Sequence, residues 1–111
     1  MIVSSKLIDN ARNAAAFLTL LGNEKRLTIV SHLLEGEMSV GAIAEKVELS
    51  QSALSQHLAK LRSMDLVETR RDRQMIYYSC NSEATLAVLR TLEGFFGETQ
   101  VEEQTLRRTG T

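Results

Sequence analysis

Apolar positions in the first half of the chain recur every three or four residues and predict three helices joined by short turns. The first is expected from about Ser5 to Leu21, and Gly22 follows where helices commonly end. Asn23 is a favourable N-cap for the second helix, which Gly36 ends. A third, short helix is expected after Ser39. This spacing predicts a helical N-terminal half.

A fourth helix is predicted from Ser50, another favourable N-cap, to Ser63. Its buried stripe consists of Leu54, Leu58 and Leu61. The opposite face carries small and amide side chains, and no acidic residue occurs between Ser50 and Ser63. An ordinary solvated helix face mixes acidic and basic residues. A face without acids is suited to a groove lined with phosphates.

Strand-forming residues then predict a β-hairpin with strands Leu66 to Arg70 and Met75 to Ser79, and a turn from Arg71 to Gln74. A last helix opens at Asn81 to Glu83. The third and fourth helices are separated by about three residues, Glu48 to Ser50, as in a helix-turn-helix. The predicted fold is therefore mainly α with a β-hairpin wing: a winged helix-turn-helix of four helices, the hairpin and a fifth helix.

The first and last helices carry more apolar residues than the core of a small domain requires. Surplus apolar surface on a small chain indicates an interface, and a symmetric homodimer is the simplest arrangement that covers it. The residues expected in this interface are Leu7, Ala11, Ala14, Leu18, Leu89, Leu92, Phe95 and Phe96.

The chain has 111 residues, which is enough for one domain. We expect that domain to span residues 1–99 and residues 100–111 to form a frayed tail. No apolar run approaches the roughly 18 residues that cross a bilayer, and Met1 to Lys6 lack the order of a secretory signal. The single cysteine, Cys80, cannot form an intrachain disulfide, so a cytoplasmic location without membrane association is expected.

The sequence offers little for catalysis. It has no glycine-rich phosphate loop, no nucleophile beside an evident base and no recognisable pair of acids, so an enzyme is not expected. No small-molecule ligand is evident either.

The net charge is only −1, but charge is unevenly distributed along the chain. Gln51 to Arg73 has two more basic than acidic residues, whereas Val30 to Ser50 has three more acidic than basic ones. The major groove of B-form DNA admits an α-helix, so a helix of this kind indicates double-stranded DNA and not RNA as the partner. The glutamines can pair with adenine, and wing arginines can reach the backbone or minor groove. The expected DNA contacts are Gln51, Ser52, Ser55, Gln56, Lys60, Arg62, Arg70, Arg71, Arg73 and Gln74.

Several segments resemble the ArsR/SmtB family of winged-helix repressors, and the resemblance extends from about Ala14 to Gly97. They are Asn23–Leu27, Leu49–Leu58, Leu61–Arg62 and Leu66–Val67. The run Ser50 to His57, with Thr69 to Asp72 and Ile76 to Ser79, is especially similar to the branch that represses nodulation genes. The resemblance implies a homodimeric DNA-binding regulator that blocks access of the polymerase. Two recognition helices would then read a dyad-symmetric operator with half-sites about 34 Å apart, or a multiple of that distance.

The metal sites of that family do not carry over to this chain. Ser39 and Gly41 occupy the positions where its metal sensors place a Cys-Val-Cys pair. Asn81 to Thr99 lacks the Asp and His ligands of the other common site. One cysteine and two histidines are too few for a tetrahedral thiolate or imidazole site within one subunit. We therefore expect no metal and no cofactor.

Alternatives remain open. Cys80 is either an inert small residue or a redox switch that would make the repressor responsive to oxidants. An atypical metal site between subunits would instead make it responsive to a metal. A winged helix can instead bind a protein. The polar face of the fourth helix and the wing arginines could be ordinary solvated groups. His57 is expected to pack beside the leucine stripe with one hydrogen bond, and His32 to lie at the surface or in an interface.

Overall fold

The computed structural model describes residues 2–98, so the predicted tail lies outside the described residues. The described part contains six helices and three strands. In chain order they are α1 (Ser5–Asp9), α2 (Ala11–Leu21), α3 (Glu24–Glu35), β1 (Met38–Ser39), α4 (Val40–Val47), α5 (Gln51–Ser63), β2 (Glu68–Asp72), β3 (Met75–Ser79) and α6 (Glu83–Phe96). The predicted class, a mainly helical fold with a β-hairpin wing, is confirmed.

The helix-turn-helix consists of α4 and α5, and both begin at serine caps. Ser50 is a predicted cap, and Ser39 is the residue after which the sequence predicts a helix. The Ser39 Oγ accepts a hydrogen bond from the Ala42 amide at 3.2 Å. The Ser50 Oγ accepts one from the Ala53 amide at 3.1 Å. Each cap satisfies an amide that has no partner inside its own helix. The turn between the helices is Glu48 to Ser50, as the sequence predicts.

The core of the unit formed by residues up to Cys80 lies among α3, α4 and α5. The predicted leucine stripe of α5 is buried, and Leu66 and Val67 continue the core between α5 and the wing. Fully buried side chains on these three helices are Ile29, Val30, Leu33, Ile43, Leu54, Leu58 and Leu61. Burial on one side orients α5, so that its polar side is left in solvent.

The predicted continuous first helix is wrong, because the chain breaks at Asn10 into α1 and α2. Asn10 has φ −99° and ψ 15°, outside the helical region. Its side-chain amide donates to the Lys6 carbonyl at 2.9 Å. An asparagine that bonds a nearby backbone carbonyl competes with the helical pattern. The apolar periodicity does not reveal this competition.

The wing differs from the prediction in three details. β2 begins at Glu68 and not at Leu66, and the turn has two residues, Arg73 and Gln74, instead of four. Arg73 has φ 59°, and positive φ in a two-residue turn matches the twist of the flanking strands. The third difference is β1, which pairs with β3 and gives a three-stranded antiparallel sheet in the order β1-β3-β2. A two-residue strand is too short to produce a sequence pattern.

The second unit begins at Asn81 and contains α6. The Ser82 Oγ accepts a hydrogen bond from the Thr85 amide at 3.1 Å and caps the helix, in agreement with the predicted start. At the other end of α6, Phe95 and Phe96 are 63% and 79% exposed. This helix therefore presents aromatic surface to solvent.

Two basic side chains in the first turn of α3 cap the ends of other helices. The buried Arg26 donates from Nε to the Leu20 carbonyl at 2.6 Å, at the last turn of α2. The neighbouring Lys25 donates from Nζ to the Val47 carbonyl at 2.8 Å, the last residue of α4. Carbonyls at helix C-termini lack partners inside the helix and favour cations. The start of α3 therefore holds α2 and α4 in place.

Arg26→Met should lower the free energy of unfolding by about 2 kcal/mol, because it leaves buried carbonyls without their charged donor while nearly preserving volume. Urea unfolding followed by circular dichroism measures this. The control is Arg62→Met, which removes an exposed arginine from α5 and should change stability by less than about 0.5 kcal/mol. Equal stability of the two variants would contradict a capping role for Arg26.

Candidate nucleic-acid interface

The exposed face of α5 is polar and free of acidic side chains. Ser52, Gln56 and Ser63 lie opposite the buried leucine stripe, since residues advance by 100° along an α-helix. Gln51 and Ser55 are also exposed and lie nearer one edge of that stripe. These side chains offer amide and hydroxyl groups, which can both donate and accept hydrogen bonds. Base edges in a major groove require both capacities.

The two ends of α5 are electrostatically distinct. The first turn has no acidic residue, so the positive end of the helix dipole is not neutralised by a carboxylate of its own turn. The last turn carries Lys60 and Arg62, both exposed. Both ends can therefore approach phosphates, while the amide and hydroxyl side chains of the exposed face can approach bases.

The tip of the wing is basic and exposed. Arg71 donates from Nε to the Arg73 carbonyl at 3.2 Å, which holds its side chain over the turn. Arg73 and Gln74 form the turn itself, and all three side chains are exposed. The tip therefore presents two guanidinium groups and one amide.

Arg70, also exposed, has its guanidinium bound to a carboxylate instead. Its Nη2 and Nε lie 2.7 Å and 2.9 Å from the Glu37 Oε1 and Oε2 oxygens. The guanidinium carbon lies 4.6 Å from the centre of the Tyr77 ring. The hydrogen bonds from Arg70 lower the pKa of the Glu37 carboxyl, and the bond to Glu37 raises the pKa of Arg70. The pair is therefore ionised over the physiological range.

His57 is half-buried on α5, and its Nδ1 lies 3.4 Å from Arg26 Nη1. An arginine can only donate, so Nδ1 accepts and the imidazole is neutral. Burial lowers the pKa of His57, and the positive charges of Arg26, Lys60 and Lys25 lower it further. The sequence predicts a packed histidine with one hydrogen bond, but it does not identify Arg26 as the partner.

The ten residues expected to contact DNA are all exposed, and all lie on α5, β2 or the turn of the wing. Their roles as DNA contacts stay predictions. The structure places them in one unit, in which α5 and the wing are joined by the buried Leu66 and Val67. A recognition helix and a basic wing on one small unit form a surface that can follow a DNA groove.

The described residues also bear on the alternatives. No group of three or more His, Cys, Asp and Glu side chains within residues 2–98 could hold a metal ion. Cys80 is buried, with 5% of its surface exposed, and burial keeps oxidants away from a thiol.

His32 is half-buried on α3. No helix in the described part of the chain is both long and apolar enough to cross a membrane.

Comparison with known proteins agrees with this geometry. Residues 23–69 match the family described as "Bacterial regulatory protein, arsR family". The chain is 53% identical to the nodulation protein NolR of Rhizobium meliloti over 90% of this chain and 84% of NolR. It is 42% identical to the transcriptional activator HlyU of Vibrio cholerae over 78% of this chain and 81% of HlyU.

Solved structures give the same result. The crystal structure of NolR from Sinorhizobium fredii has a TM-score of 0.79 at 50% identity, covering 86% of this chain and 95% of that one. The transcriptional repressor BigR from Xylella fastidiosa has a TM-score of 0.78 at 33% identity, covering 83% of this chain and 94% of that one. The resemblance inferred from the sequence is confirmed, including its similarity to the nodulation branch.

The lowered pKa of His57 predicts a pH-dependent stability. As the pH falls, the His57 imidazole of the unfolded chain binds a proton near pH 6.5, whereas that of the folded chain binds it only at a lower pH. The free energy of unfolding should therefore fall as the pH drops from about 6.5 towards the lower folded pKa, and this contribution should level off below it. Urea unfolding across this range should show the slope in the unmodified protein and in the control His32→Gln. If His57→Gln kept the same slope, His57 would not be its source.

Proposed function

Because the chain belongs to the ArsR family of bacterial regulatory proteins, we propose that this DNA-binding transcriptional regulator acts as a homodimeric repressor. Its activity is regulation and not catalysis, as the sequence predicts. The observation that carries the proposal is the acid-free, exposed face of α5 beside a basic wing.

α5 lies in the major groove, and side chains in its N-terminal half read the bases. Gln51 and Gln56 each present a carboxamide that can pair with the N6 and N7 atoms of adenine. Ser52 and Ser55 bond bases or phosphates from the same exposed side. Lys60 and Arg62 bind phosphates at the end of the helix. Contacts on the wing come from the tip residues Arg71, Arg73 and Gln74, which reach the backbone or minor groove.

The homodimer is supported by apolar surface in both units. Leu7 and Leu18, in α1 and α2, are 46% and 58% exposed, and in α6 Phe95 and Phe96 are more exposed still. Ala11 is exposed, and the remaining predicted interface residues, Ala14, Leu89 and Leu92, are half-buried. A second copy that covers this surface removes apolar area from water. A symmetric dimer presents two copies of α5, so its operator has dyad symmetry, with half-sites about 34 Å or a multiple of it apart.

Repression follows if the bound dimer occupies DNA that the polymerase needs. BigR is named a transcriptional repressor and HlyU a transcriptional activator, so regulators of both signs are similar to this chain. A protein that regulates transcription in this way works in the cytoplasm. No metal and no other cofactor is required for the proposed binding.

Gln56→Ala should weaken binding to the preferred operator by about 1–3 kcal/mol per half-site and relax base preference at one position. The matched variant Arg73→Ala should weaken binding to all duplexes similarly and flatten the salt dependence, because a phosphate contact carries no sequence information. Fluorescence anisotropy on operator and scrambled duplexes separates the two effects. Equal weakening on both duplexes by Gln56→Ala would contradict base reading.

Phe96→Asp should convert the dimer to a monomer at micromolar concentration, because a carboxylate within an apolar interface loses its hydration. Sedimentation velocity measures the change. The control is Met75→Asp, which places the same charge on the exposed apolar Met75 of the wing and should leave the dimer intact. An intact dimer of Phe96→Asp would exclude Phe96 from the interface.

A further inference from the structure

One ion pair crosses the entire wing sheet. Arg70 on β2 pairs with Tyr77 on β3, and Tyr77 pairs with Ser39 on β1. Glu37 lies directly before β1 and two residues before Ser39. The guanidinium of Arg70 extends over the Tyr77 ring and meets Glu37 beyond the central strand. The contact therefore ties the outer strand of the hairpin to the opposite edge of the sheet.

Apart from this ion pair, the strand pairing between the hairpin and the segment that precedes α4 is short. β1 contains only Met38 and Ser39, which pair with Tyr78 and Tyr77. α4 begins at Val40, directly after β1, so whatever holds β1 to the wing also holds the first helix of the helix-turn-helix. β2 lies on the far side of β3 and has no strand pair with β1. A bidentate arginine–carboxylate pair over an aromatic ring restricts both distance and direction.

The same contact changes what Arg70 can offer to DNA. Its Nε and Nη2 donors are already directed at the Glu37 carboxylate, whose negative charge offsets that of the guanidinium. A phosphate would have to replace a charge partner that is already in place. Arg71 and Arg73 have no such carboxylate partner within hydrogen-bond distance in the described residues, so they remain the cations of the wing.

We infer that Glu37 and Arg70 position the wing on DNA, and that Glu37, although acidic, therefore strengthens operator binding. Neither residue touches the DNA. The inference rests on the proposed function, because it assumes that the wing tip contacts the duplex. It replaces the direct DNA contact expected for Arg70 from the sequence with a positioning role.

The direction in which one substitution changes the affinity for DNA tests this inference. Removal of an acid from a DNA-binding protein normally tightens binding, because it reduces repulsion from phosphates. Glu37→Gln should instead weaken binding about fivefold on an operator selected from random duplexes by the unmodified protein. The matched control is Glu45→Gln, which removes an exposed acid from α4 and should leave affinity equal or slightly higher. Thermal unfolding should show that all variants are folded.

Further variants separate positioning from contact. Arg70→Gln should weaken binding as much as Glu37→Gln does, and the double variant should lose no more than either single one. Both should leave the slope of log Kd against log salt unchanged, whereas Arg73→Gln should lower it by about one per wing. In the Glu37→Gln background, Arg73→Gln should lower the slope as much as it does alone, because the wing still reaches the phosphate once it is bound.

Two results would overturn the inference. Tighter binding by Glu37→Gln, with a flatter salt slope for Arg70→Gln, would make Arg70 a phosphate contact that Glu37 merely competes for. Identical affinities of Glu37→Gln and Glu45→Gln would remove any positioning role. A failure of the proposed function looks different: the unmodified protein itself would then select no operator from the random pool.

Discussion

The arrangement of the helix-turn-helix depends on the buried guanidinium of Arg26. It donates to the Leu20 carbonyl at the end of α2 and meets His57 on α5, while Lys25 next to it caps α4 at Val47. A buried cation is tolerated only where acceptors surround it, so these helices can pack in few other ways. The first turn of α3 thereby sets the position of the helix proposed to read DNA.

The proposed DNA reading follows from the side of α5 that this packing leaves in solvent. Burial of the leucine stripe turns amides and hydroxyls outward, and the absence of acids makes that side compatible with a phosphate-lined groove. The wing adds cations at its tip, and the pair of Glu37 and Arg70 links its outer strand to the residues that precede α4. Core packing and surface charge therefore define one candidate recognition surface.

The structural features that the sequence predicted are those that depend on residues close together in the chain. The caps Asn23, Ser39 and Ser50 and the leucine stripe are local signals, and the structure contains them. The contacts between Arg26 and His57 and between Arg70 and Glu37 join residues 31 and 33 positions apart, which no local pattern encodes. The break at Asn10 shows the converse, since the chain leaves the helical region there although the apolar repeat is regular.

The most direct test of the account is a selection of random DNA duplexes by the purified protein, followed by anisotropy titration of the enriched sequence in the presence and absence of reductant and chelator. The account predicts a dyad-symmetric site with half-sites about one helical turn or a multiple apart. It also predicts a Kd of about 10⁻⁸ M or tighter that neither additive changes. Failure to enrich any sequence, or binding no tighter to the enriched duplex than to scrambled DNA, would contradict sequence reading by α5.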